Sequence, residues 1–157
     1  MGAFGGVQEA TVTGGGVYFL PGRYKVNISA CKVQSSKRNG KTYAIVEAEI
    51  VESTNADRGV GSRASQVIDL SNVMGPVNVK AFVAALSGCD PMAPDLNARL
   101  EITWTEALGR KVTVEQICET VFSEGGPAEG TELRLEVVEI ETRGTKQPFN
   151  KHIWASA

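Results

Sequence analysis

The stretch from Pro21 to Ser53 constrains the fold most, because its side chains alternate with the two-residue period of half-buried strands. Between Gly22 and Val33, Tyr24, Val26, Ile28 and Ala30 share one parity, and Lys25, Asn27, Ser29 and Cys31 share the other. After the turn Ser35-Ser36-Lys37-Arg38-Asn39-Gly40-Lys41, the run from Thr42 to Val51 alternates again, with Ala44, Val46, Ala48 and Ile50 on its apolar side. Asn39-Gly40 suits a turn that needs positive φ. The pattern predicts a hairpin with one face in a core.

The hairpin also concentrates positive charge. No Asp or Glu occurs from Ala10 to Val46, while Arg23, Lys25, Lys32, Lys37, Arg38 and Lys41 all lie there. A second acid-free stretch, Thr142 to Ala157, holds Arg143, Lys146 and Lys151 beside His152. Together the two stretches carry nine of the sixteen Lys and Arg, on a chain whose formal net charge is −2. Acids collect instead at Glu47, Glu49, Glu52 and Asp57, and between Asp90 and Glu141. A slightly acidic chain is not the usual nucleic-acid binder. Charge separation of this kind nevertheless predicts one positive and one negative face.

At 157 residues the chain is most economically one domain, residues 17–157, behind a flexible Gly-rich arm at 1–16. The longest apolar runs fall well short of the ~20 residues needed to cross a bilayer, and no secretory leader is visible, so a cytoplasmic protein is expected. Cys31, Cys89 and Cys118 are far apart and outside any Cys-x-x-Cys pair, and His152 is the one histidine. Neither a zinc site nor a disulfide framework is expected, and no cofactor. Gly40-Lys41-Thr42 superficially matches the end of a phosphate loop, but Ser35 stands where the leading glycine belongs and a strand follows instead of a helix.

In chain order, Val17 to Leu20 is a short apolar run at the start of the sheet, and Ser53 to Ser62 reads as a polar loop. Ala64 to Leu70 is then a third strand. Pro76 in a first turn, Val79, Phe82, Val83 and Leu86 at helical spacing, and Gly88 as a stop predict a core-packed helix. Pro91 and Pro94 break the next stretch; Leu96 to Ala107 fits either helix or strand, with Trp104 in the core. Thr113 and Gln116 form a capping box ahead of an apolar stripe that includes Ile117 and Val121. A closing hairpin is expected from Thr131 to Trp154. Leu133, Leu135 and Val137 lie on one parity and Val138 and Ile140 on the other, which predicts a β-bulge. Around the turn Arg143 to Gln147, Phe149 and Ile153 are then expected inward, and His152 and Trp154 outward as stacking platforms.

Three strands, helices between the third and fourth, and a closing hairpin give a mainly β chain with inserted helices. That order is expected of a five-stranded Greek-key oligonucleotide-binding barrel, whose ligand lies across strands two and three between the first and last hairpin loops. Those loops are the two basic turns. The segments Pro21-Gly22-Arg23-Tyr24-Lys25-Val26, Asn39-Gly40-Lys41-Thr42, Val79 to Leu86 with Gly88, and Gly144 to Trp154 resemble small bacteriophage single-stranded DNA-binding proteins of this fold. The resemblance spans about Pro21 to Ala155 and implies a role in replication or recombination. Many such proteins end in an acidic, partner-recruiting tail, whereas this sequence ends Trp154-Ala155-Ser156-Ala157, so recruitment by a tail is not expected.

The expected activity is sequence-tolerant binding of single-stranded DNA, or RNA, without chemistry. Lys25, Lys32, Lys37, Arg38, Lys41, Arg143, Lys146 and Lys151 would track phosphates. Tyr43, His152 and Trp154 would stack on bases, at ~1–3 kcal/mol per stack. Oligomerisation would extend the small footprint of one barrel. The competing reading is a virion or filament subunit that uses the Gly-rich arm and Trp154 for subunit contacts. An enzyme is disfavoured, because one histidine and dispersed acids make no catalytic set.

Overall fold

A computed structural model describes residues 17–141 and 148–157. The elements are β1 (Gly22–Ser35), β2 (Thr42–Ser53), β3 (Arg63–Asp69), α1 (Gly75–Leu86), α2 (Leu96–Leu108), α3 (Val114–Val121), β4 (Glu132–Ile140) and β5 (Phe149–Ser156). The strands form one antiparallel sheet in the order β3-β2-β1-β4-β5. Read from β4, that order is 4-1-2-3, a Greek key in which the fourth strand returns beside the first through a long connection. Here the helices supply that connection. The expected arm at 1–16 and the second basic turn lie outside the described residues.

In the first hairpin, Ala44, Val46, Ala48 and Ile50 of β2 are all buried, as their alternation requires. β1 buries Tyr24, Val26 and Ile28 in alternation, and its pairing with β2 shifts register between Lys25 and Val26 and again between Ile28 and Ala30. The second irregularity moves the inward position from Ala30, which is half-buried, to Cys31, which is 2% exposed. A one-residue shift exchanges the faces of a strand, so alternation alone misplaced Ala30. At the turn, Gly40 takes φ +71° and Asn39 Oδ1 accepts the Lys41 amide at 2.9 Å.

The expected barrel closure is not present: β3 and β5 are the two edges of an open sheet. The run before β1 occupies the space between them. The Ser65 amide donates to the Val17 carbonyl at 2.9 Å, which holds this run against β3. Phe19 is fully buried, with its ring edge-on to Tyr24 (5.3 Å), His152 (6.1 Å) and Trp154 (6.3 Å). Across the same seam Trp154 Nε1–H donates to Gln66 Oε1 at 2.7 Å. Side chains therefore join the two edges where a ladder was expected.

The helices cover the core. α1 ends at Gly88 with φ +73°, as its stop signal implies, and packs Phe82 against Trp154 (5.0 Å) and Phe122 (5.9 Å). Gly75 opens α1 hard against the end of β3, where an added Cβ would collide with the Asp69 carbonyl. The ambiguous stretch is a helix, α2, which buries Leu96, Leu100 and Trp104; Trp104 Nε1–H donates to Ser87 Oγ at 2.7 Å. α3 has the expected capping box of Thr113 and Gln116.

The second hairpin reverses the expectation for β5. β4 pairs with β5 in unbroken register from Leu133–Ser156 to Ile140–Phe149, so β4 has no bulge there. Leu135 faces Trp154 and Val137 faces His152. Directly paired residues share a face, and Leu133, Leu135 and Val137 are buried. Trp154 is therefore inside at 4% exposure, whereas Phe149 and Ile153, expected inward, are 53% and 42% exposed.

Candidate nucleic-acid interface

A cation-rich sequence becomes a cation-rich surface only if cross-strand neighbours leave the charges uncompensated. In β1 they do not. Lys25 lies between Glu52 (3.8 Å) and Glu132 (3.6 Å), Lys32 meets Glu47 (3.2 Å), and Arg23 meets Glu136 (3.6 Å). At the start of β2, Lys41 Nζ is 3.3 Å from Asp69 Oδ2 on β3. These carboxylates come from neighbouring strands, so an acid-free stretch of sequence is not an acid-free face. The expected basic face is thus reduced in β1 to a mosaic of opposite charges. Asp69 is held below the usual carboxylate range, first by hydrogen bonds from Ser71 and then by Lys41.

Lys37 and Arg38, at the tip of the first turn, are exposed and have no ion pair among the described residues. The turn beneath them is built rather than loose: Ser36 and Lys41 bond across it at 2.8 Å, and the Gly40 amide donates to the Ser36 carbonyl at 2.9 Å. Asn39 Nδ2 also donates to the Tyr43 hydroxyl at 3.2 Å. That bond ties the half-buried Tyr43 to the turn, beside these two cations.

The other candidates divide. Lys151 is exposed on β5, opposite Val138. Because Val137 pairs with Gly22, Lys151 lies near the start of β1, at the opposite end from Lys37. Arg143 and Lys146 fall outside the described residues. Trp154 cannot present a ring face to a base, since its ring is packed against Phe82 and Phe19. His152 also points inward; burial pushes its pKa down to about 4, and its Nε2 has no hydrogen-bond partner among the described residues. Both were expected to stack, and the β4–β5 register instead turns both to the inner face, with Trp154 buried and His152 half-buried.

One cation was missed. Arg134 on β4 is exposed on the outer face of the sheet, directly opposite Lys25. It lies inside the segment where acids collect, so counting charge along the chain hid it. Alternation in β4 would have found it, because Arg134 sits between the inward residues Leu133 and Leu135.

Among the described residues no group of His, Cys, Asp and Glu is arranged to hold a metal ion, and no helix is long and apolar enough to cross a membrane. No protein-family model matches the chain, and no curated protein matches it.

Proposed function

We propose that the chain binds single-stranded nucleic acid, with little sequence preference, at the β1–β2 turn. The observation that carries this reading is the pairing of two uncompensated cations, Lys37 and Arg38, with Tyr43 on a hydrogen-bonded turn. The cations would hold phosphates and Tyr43 would offer a ring to one base. Greek-key order supports an oligonucleotide-binding type of sheet, a fold that is itself partly open. The sequence resemblance supports single-stranded DNA as the ligand and replication or recombination of the bacteriophage kind as the setting, and the small footprint of one domain supports a homo-oligomer as the active form.

A labelled oligo-dT titrated with the protein, followed by anisotropy at low and moderate salt beside duplex and RNA controls, tests the reading. Single-strand binding that weakens with salt is expected. Tryptophan emission should change little, because Trp104 and Trp154 are both buried. Absence of binding at low salt would sink the reading.

Phe149 and Ile153, exposed together on the last strand, favour a second reading in which the chain is an assembly subunit. Light scattering that shows stoichiometric assembly without nucleic acid, from a protein that binds no oligonucleotide, would favour it.

A further inference from the structure

At the end of β1 away from the turn, the outer faces of β1, β4 and β5 and the end of β2 line an open groove of about 400 Å3. Arg23, Lys25 and Arg134 line it together with Glu52, Glu136 and Ile153. Register sets Lys25 directly opposite Arg134, and like charges so placed repel. Lys25 is relieved by Glu52 and Glu132, and Arg23 by Glu136. Arg134 has no such partner among the described residues, and its neighbour on β5 is the small Ala155. Three cations here meet three carboxylates, Glu52, Glu132 and Glu136, but two of these acids lie on Lys25, which leaves Arg134 the cation of this groove with no ion pair among the described residues, beside an apolar wall at Ile153, which is 42% exposed.

A planar guanidinium matches a phosphate, and an adjoining apolar wall suits a sugar or a base. We propose that Arg134 holds a phosphate of the same single strand that the β1–β2 turn binds, with Ile153 covering the attached nucleoside. This rests on the single-strand reading and adds a second contact at the far end of β1. Arg134 lies opposite Lys25, and the ten residues from there to Ser35 at the turn span roughly 33 Å at ~3.3 Å per residue. A stacked strand advances ~3.4 Å per phosphate, so roughly 10 nucleotides reach both contacts, within the ~4–16 nucleotides usual for one oligonucleotide-binding domain. Short oligomers reach only one end.

The test compares oligo-dT of about 5 and about 20 nucleotides on the full chain, wild type and Arg134→Ala. The long oligomer should lose affinity several-fold, and its log–log salt slope should fall by about 0.7, the value of one single-strand phosphate contact. The short oligomer should bind unchanged, and Arg134→Lys should keep the slope. Because Arg134 is exposed, the thermal midpoint should not move. Unchanged affinity for the long oligomer would overturn the groove contact, while the single-strand reading would stand if Lys37→Ala/Arg38→Ala still weakens binding. Equal loss at both lengths would overturn the proposal as well, since Arg134 would then act through the whole structure. So would an arginine-dependent acidic peptide that binds the groove without competing with DNA. Failure of the wild type to bind any oligomer would remove both readings together.

Discussion

The β1–β2 and β4–β5 hairpins carry the same cues, alternating strands around a basic turn, yet they use those cues differently. In β1–β2 the apolar alternation of Ala44 to Ile50 marks the core correctly, but most of the lysines are matched by Glu47, Glu52 and Asp69 from adjoining strands. In β4–β5 Lys151 has no ion pair among the described residues, but the aromatic residues exchange places: Trp154 goes into the core and Phe149 onto the surface. The difference shows that a side chain's parity and its charge balance are both decided by what lies opposite it. Neither is a property of its own strand.

Breaking the second hairpin's core contact should have the largest effect. Trp154→Ala removes a ring packed on Phe82 and Phe19 and leaves the Gln66 amide without its donor. A loss of about 3–5 kcal/mol in urea unfolding is expected, against less than about 0.5 kcal/mol for Ile153→Ser on the opposite face of the strand. If Ile153→Ser proved the more costly, the β5 register would be wrong.

His152 sharpens the same point through pH. Its folded pKa of about 4 lies below the ordinary value of 6.5, so the unfolded chain takes up the proton first. This contribution is complete above about pH 6.5 and falls away as pH drops toward 4. About 3 kcal/mol would be lost across that window, and His152→Phe should flatten the dependence. A wild-type profile that is flat there would put His152 in water.

Two smaller effects address β1. Cys31→Ser places a hydroxyl in the core just past the register shift and should cost about 1–2 kcal/mol, whereas Ala30→Ser should cost about half or less. Burial also pushes the Cys31 thiol up to about 12, so the folded protein should resist alkylation there at neutral pH. Lys32→Ala removes an exposed ion pair with Glu47 and should change stability by less than about 1 kcal/mol.

What could be read in the sequence follows from how local each signal is. The β2 stripe, the α1 stop at Gly88 and the α3 capping box depend on residues within a few positions, and each is where the sequence placed it. α2 was left open because Pro91 and Pro94 dominated that stretch, although Leu96, Leu100 and Trp104 follow helical spacing. The face of β5 depends on loop length. A five-residue turn, Arg143 to Gln147, would pair Val137 with Ile153, whereas the observed register is one residue away and pairs it with His152. The sheet stays open, and Phe19 packs between its two edges, a place that its apolar run gave no sign of. Of the proposed site, Lys37, Arg38 and Tyr43 were legible from the turn, while Arg134 was masked by the acids around it.

The most direct test of the account measures oligo-dT affinity for two double variants of the first hairpin at low salt. Lys37→Ala/Arg38→Ala removes uncompensated cations, and Lys32→Ala/Lys41→Ala removes cations already matched by Glu47 and Asp69. The expected result is a loss of roughly tenfold or more, with a reduced salt slope, for the first variant and less than about threefold for the second. Equal losses would contradict the account, because they would mean that the ion pairs leave the β1 lysines as available to phosphate as the turn.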